Sequence, residues 1–203
     1  MKTPSIFTDA ARALRNFKAE LTGDGRIYVP DAHAFVGGFF RHRYAPPGMP
    51  FGPACIEPNR VVTEGLVKIV NLLGGHVTAV PLYIAPFSGN VTPQASWTGA
   101  NFTANATEFT AYNEATRLPW TTVAATSSAS LINTAALAAA TLTLSSGGPY
   151  TVRGAGLLEA SAKSATTLKL IVASRFAADL TGLVAGGKLA LEYGISAVDE
   201  ADA

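Results

Sequence analysis

Within TAYNEATRLPW (residues 110–120) a carboxylate, an arginine and two large aromatic rings share one short run. Glu114 and Arg117 are three apart, flanked by Tyr112 and Trp120. Between positions 77 and 152 the only other charged residue is Glu108. Such a group could serve catalysis, form part of a binding surface, or tie the chain to itself. Catalysis needs a base or nucleophile matched to the carboxylate. The three histidines, His33, His42 and His76, are scattered and show no HExxH spacing. Cys55 is the only cysteine, so no internal disulfide and no cysteine metal cluster is possible. Set among apolar residues and prolines, it reads as a buried, inert thiol. Asp9, Asp24, Asp31 and Asp179 lack calcium-loop spacing. The Gly-Gly pairs at 37, 74, 147 and 186 lack a Walker lysine and GxGxxG spacing, so they read as turns. The expectation is a chain with no catalytic, metal or cofactor residues.

The clasp is then the leading reading of the segment. Arginine keeps its proton and forks well onto carboxylates and carbonyls. Leu118-Pro119 enforces an extended approach to Trp120. Arg117 is expected to be buried or half-buried, bonded to Glu114 or to carbonyls of an adjoining strand, with Trp120 packed in the core beneath it.

Composition bounds what such a body can do. Of 203 residues, 48 % are hydrophobic and only 14 % charged, against roughly 25 % charged in ordinary domains. The surface must therefore be built of small neutral residues or be covered by partners. A net charge of +1 provides no field for nucleic acid or an acidic membrane. No apolar run approaches the ~20 residues that span a bilayer, and the N-terminus lacks a secretory core. A soluble chain made in a reducing compartment is expected.

Two regions are predicted. Residues 1–68 carry a net of +3 and residues 69–203 a net of −2. Residues 1–58 read as an N-terminal helix, over 8–21, followed by an extended proline-rich arm. Five prolines, at 46, 47, 50, 53 and 58, argue against regular structure there. The arm carries Phe39, Phe40, Arg41, Arg43, Tyr44 and Phe51, which are candidate contacts to neighbouring subunits. Three basic positions at 41–43 are too few for a nucleic-acid groove and are expected to meet an acidic neighbour. Residues 59–203 read as the body. It opens with a helix over 62–73, stopped by Gly74-Gly75, whose Leu66, Ile69, Val70 and Leu73 should pack on the body. Strand signals follow in VTAVPLYIAPF, EFTAY, WTTVAA, TLTLSS, YTVRGAGLLEA, TLKLIVASRF and KLALEYGISAV. SAKSAT and AADLTGLVAGG read as loops, and residues 131–140 as a strand or a helix. The predicted fold is mainly β, an antiparallel β-sandwich or jelly roll with one or two short helices.

Two motifs carry a resemblance. Asn59, Val61, Glu64, Gly65 and Leu66 form N-x-V-x-x-E-G-L ahead of a strand near LYI. Phe109, Tyr112, Glu114, Thr116, Arg117 and Trp120 form F-x-x-Y-x-E-x-T-R-x-x-W, and three glycine-punctuated strands close the chain. From about residue 59 to 196 the chain resembles small virion structural proteins of tailed bacteriophages. The first 58 residues lie outside the resemblance. It implies a decoration (cement) protein of the head or a related accessory protein, located in the virion after synthesis in the host cytoplasm. Its partners would be the major capsid protein, other virion subunits and further copies of itself. It implies no enzymatic residues. A tail, collar or fibre-attachment protein is the alternative within that class. A carbohydrate-binding sandwich is the alternative outside it, with Trp97, Trp120 and Tyr112 as stacking platforms.

Overall fold

The structure is a computed structural model that describes residues 20–21, 27–28, 34–126, 130–133 and 140–199. Among the described residues twelve strands run in chain order: β1 (Glu20–Leu21), β2 (Ile27–Tyr28), β3 (Ala34–Ala45), β4 (Cys55–Pro58), β5 (Arg60–Val61), β6 (Leu82–Phe87), β7 (Leu118–Trp120), β8 (Ser130–Ile132), β9 (Thr141–Thr143), β10 (Tyr150–Leu158), β11 (Leu170–Leu183) and β12 (Lys188–Asp199). Helix α1 spans Thr63–Leu73 and α2 spans Gly99–Ala106. One sheet has the order β1-β2-β3-β12-β8, with β4 also on β3 and β9 also on β12. The other has the order β5-β11-β10-β6-β7. All pairings are antiparallel. The predicted mainly-β class of antiparallel sheets is the one observed; among the described residues α1 was expected and α2 was not.

The alternation of side chains sets the layers. In β12, Leu189, Leu191 and Tyr193 face inward with Phe40 of β3. They meet Ile84, Val152, Leu157, Val172 and Phe176 from the second sheet. The alternate residues of that second sheet, Ala85, Phe87, Leu158, Leu170 and Ala173, form another core with Trp97, Phe102 and Ala106. The second sheet is thus covered on both faces. This is why its strands read as nearly continuous apolar runs, while β12 alternates. Gly154 and Gly156 lie in β10, where a Cβ would overlap the Phe87 and Phe102 rings respectively. Gly156 lets α2 approach the sheet, and Gly154 leaves room for the Phe87 ring of the neighbouring strand β6. α2 is poor in helix formers, but the Asn101 side chain accepts a bond from the Thr98 amide at 2.8 Å and fixes its first turn.

Several expectations are corrected. The boundary at residue 58 does not follow the sheets. β3 pairs along its whole length with β12, from Ala34↔Asp199 to Ala45↔Lys188, and β4 pairs with β3. Gly37-Gly38 lies inside β3 rather than in a turn. The prolines at 46, 47, 50 and 53 occupy the connection between two strands, and Pro58 ends an edge strand, where a missing donor is tolerated. The expected helix over 8–21 lies outside the described residues except for Glu20–Leu21, which are strand. EFTAY and residues 121–125 of WTTVAA form no strand, and AADLTGL continues β11 instead of forming a loop. Ser130–Ile132 is strand; residues 134–139 are outside the described set.

The largest reversal concerns α1. Its boundaries match the sequence reading, but Leu66, Val67, Val70 and Leu73 are exposed, and only Gly65 is fully buried. Ile69 alone of the predicted stripe packs on the core. The cause is Gly65: a Cβ there would overlap the Ile171 carbonyl of β11. The helix docks backbone-first, through its glycine. Gly65→Ala should therefore destabilise the fold by about 1–3 kcal/mol, the usual range for overpacking. A urea melt reads this as a lower midpoint, and an unchanged midpoint would contradict the close approach.

Candidate functional site

The charged and aromatic residues of 108–120 resolve into a buried clasp. The chain leaves α2 at Thr107, held at φ 54, and folds back so that Glu108 and Arg117 meet. Arg117 is fully buried. Its Nε donates to Glu108 Oε1 at 2.8 Å and its Nη2 to Glu108 Oε2 at 2.7 Å. Nη1 donates to the Ala160 carbonyl at 3.0 Å, and Nη2 also to the Ala165 carbonyl at 3.1 Å. Glu108 accepts further bonds from Thr103 Oγ1 at 3.0 Å and the Ser164 amide at 3.1 Å. The partner of Arg117 is therefore Glu108, not Glu114. Glu114 instead accepts from the Thr143 amide with both oxygens, at 2.9 and 3.0 Å. An i,i+3 pair needs a helix to bring its members together, and this segment has none.

The aromatic members are also internal. Tyr112 is buried, and Lys163 Nζ lies 3.7 Å from its ring centroid while donating to its carbonyl at 2.7 Å. Burial, with Glu108 close by, holds the Tyr112 phenol well above its usual pKa. Burial likewise lowers the pKa of Lys163. Trp120 packs against Tyr193 and donates through Nε1 to the Tyr193 carbonyl at 2.8 Å. Trp97 is 5 % exposed and Tyr112 3 %. Trp97 and Tyr112 are thus closed to a sugar, whereas Trp120 is half-buried.

The first motif has a similar role. Glu64 Oε2 accepts from the Gly99 amide at 2.7 Å and the Leu170 amide at 2.9 Å, and Oε1 meets Lys169 Nζ at 3.0 Å. Burial pushes this carboxyl's pKa up, but the two amides and Lys169 outweigh it and leave it below the usual range. Glu64 thus joins α1, the start of α2 and β11. Beside it lies a recess of ≈ 290 Å³, where Lys68 and Lys169 face Glu64 and Glu159. Lys68 Nζ is 2.8 Å from Glu159 Oε1 without the angle of a hydrogen bond, and Glu159 Oε2 accepts from the Lys169 amide at 3.2 Å. Every charge in the recess has an opposite neighbour, so it offers no net attraction to an ion.

The candidate contacts at 39–51 are mostly internal as well. Phe40 is in the core. Phe39 packs over Gly194. Arg41 and Arg43 pair with buried Glu192 of the adjacent strand, not with an acidic neighbour. Arg43 also lies 5.6 Å from the Phe51 ring centroid. The Tyr44 hydroxyl accepts from the Val184 amide at 3.2 Å. His42 is buried, stacks on Phe176 at 4.2 Å between centroids, and has Nε2 3.4 Å from Glu57 Oε1. Cys55, expected to be buried, is exposed on β4. Among the described residues, no three His, Cys, Asp or Glu side chains gather as a metal site, and no helix is long and apolar enough to cross a membrane.

Sequence reasoning missed Glu108, the residue on which Arg117 depends. Its charge in a nearly uncharged stretch was the available signal. Comparison with protein-family models, with curated proteins and with solved structures returns no match.

Two predictions follow from these contacts. Arg117→Ala leaves Glu108 buried without its cation and should cost about 3–5 kcal/mol. Arg117→Lys should recover little, since an ammonium cannot reproduce the fork. Denaturant melts of both variants check this, and wild-type midpoints would refute it. His42 supplies a pH dependence. Burial lowers its folded pKa below the ordinary 6.5. The unfolded chain then binds the proton more tightly, so stability is complete above about pH 6.5 and falls as the pH drops towards the folded pKa. Melts of wild type and H42Q across about pH 5–8 should show this decline weakened in the variant.

Proposed function

We propose that this chain is a structural subunit of a tailed-bacteriophage virion, a decoration protein that binds the major capsid protein on the head and catalyses no reaction. The observation that carries the reading is a body whose exposed large side chains on α1 are apolar. Leu66, Val67, Val70 and Leu73 are 48, 56, 67 and 84 % exposed, in a chain with only 14 % charged residues. Apolar side chains gathered on one outward helix face suit a contact with another protein. The two motifs that resemble virion proteins support the same reading from another direction. Their polar side chains fasten loops and helices to the sheets, as a rigid building block requires. A tail, collar or fibre-attachment role uses the same properties at another position in the particle.

Mass spectrometry of gradient-purified virions tests the reading. The chain should be present in many copies per particle, and immunogold against it should label heads. Gold confined to tails would favour the alternative. Absence of the chain from particles would exclude both.

A further inference from the structure

Strand β4 is fastened more lightly than its neighbours. It is four residues long and lies on β3 opposite positions 39–42, whereas β3 and β12 pair along twelve residues. The connection before it, 46–54, is mostly exposed. Two side-chain bonds tie β4 to the second sheet. Ser174 Oγ donates to the Pro58 carbonyl at 2.6 Å, and the Ala177 amide donates to Glu57 Oε2 at 3.0 Å. Ala177 lies in an irregular part of β11. Arg175 pairs with Gly154 and Leu180 with Val152, so 176–179 have no partner on β10. The other oxygen of Glu57 lies 3.4 Å from Nε2 of buried His42, whose ring stacks on Phe176. One carboxylate thus serves a bulge amide and an imidazole where the two sheets meet.

We infer that His42, Glu57 and Ala177 form an acid-operated latch: protonation of His42 frees β4 from the second sheet while the β3–β12 ladder stays closed. A charged ring in this place needs water or a fully paired carboxylate. The 3.4 Å contact with Glu57 is longer than a charge-assisted bond of about 2.7–2.9 Å, and Glu57 is held on its far side by Ala177. Burial accordingly outweighs Glu57 and lowers the pKa of the ring. Among the described residues no other charge faces it. Arg41 and Arg43 of β3 lie on the opposite face of their sheet, with Glu192 of β12. On β11, Arg175 and Asp179 bond to each other, and to Asn90 and Arg153 respectively. On β4, Cys55 stands across from His42 at the exposed edge. Water reaches the ring where the fewest bonds break, and that is the β4 side. The open form binds the proton more tightly than the closed one, so falling pH favours opening. This is a local event at one edge, distinct from acid unfolding of the whole chain.

Hydrogen exchange read by mass spectrometry tests the latch on the full chain, at about pH 7.5 and about pH 5.5, with rates corrected for intrinsic exchange. With the ordinary 6.5 for a ring in water, linkage sets a ceiling of about tenfold on the gain in opening between these conditions. Peptides covering 55–58 and 176–179 should lose protection several-fold, up to that ceiling, while β10 and β12 keep theirs. His42→Gln keeps a donor for Glu57 but takes up no proton, so its protection should be the same at both pH values. The wild-type ring gives a second reading that needs no variant: its NMR signals should titrate below 6.5 in the folded chain. Unchanged protection at β4, an equal loss in every strand, or a pH response in His42→Gln like that of wild type would each overturn the latch. So would a ring that titrates at or above 6.5.

Discussion

The bidentate pair between Arg117 and Glu108 is the constraint on which one end of the molecule depends. It joins the segment after α2, the connection between β10 and β11, and the last turn of α2 through Thr103. None of these pieces has a regular ladder of its own at this point. A buried ion pair adds little net stability, because desolvation offsets attraction. What it adds is geometry. The guanidinium fork fixes the carboxylate in its plane and leaves donors for two carbonyls. The carboxylate, in turn, satisfies a hydroxyl and an amide. One pair thereby sets the mutual position of these three pieces, and from that fixed point Leu118 enters the core and Trp120 packs against it.

The same use of charge recurs across the fold. Glu57, Glu64, Glu108, Glu114, Glu159, Asp179 and Glu192 each accept a bond from within the chain. Five of them, Glu57, Glu64, Glu108, Glu114 and Glu159, hold backbone amides. In a chain with so few charges, carboxylates act chiefly as caps for amides that the sheets leave unpaired, which is the general requirement for buried polar groups. Among the described residues the consequence is a surface with few free carboxylates, and that follows from the placement of the acids as much as from their number.

The sequence revealed periods more readily than partners. β10, β11 and β12 were legible because their apolar runs and glycines are local signals. α1 was legible in extent for the same reason, and Gly74-Gly75 marked its end. Its orientation was not, because periodicity defines a stripe but not which side meets the body. That depends on Gly65 fitting against Ile171, a contact more than a hundred residues away. β3 was read as an arm because its partner β12 lies at the far end of the chain, and the prolines between β3 and β4 dominated the local pattern. α2 was missed because GANFTANA has weak helix propensity, and its stability comes from Phe102 packing edge-on against Phe87 and Trp97. In the clasp, burial of Arg117 and its bonds to carbonyls were legible from charge scarcity. Its carboxylate partner was not, since the nearer Glu114 is taken by Thr143.

The anchoring of α1 also sets what a contact through its outer face would cost. Ordering flexible side chains and loops is a main cost of association. α1 is already fixed at its first turn by Glu64, which bonds two amides and a lysine, and by the backbone contact at Gly65. Lys68 holds it again one turn later. The apolar arc is therefore presented by a helix whose ordering cost is met during folding. An interaction through it loses only the rotamer freedom of a few Leu and Val side chains, which are among the less costly to fix. A polar helix face on the outside would have needed the opposite arrangement, with the apolar stripe inward and a larger residue in place of Gly65. The close glycine contact and the outward stripe are thus one structural choice, and each explains the other.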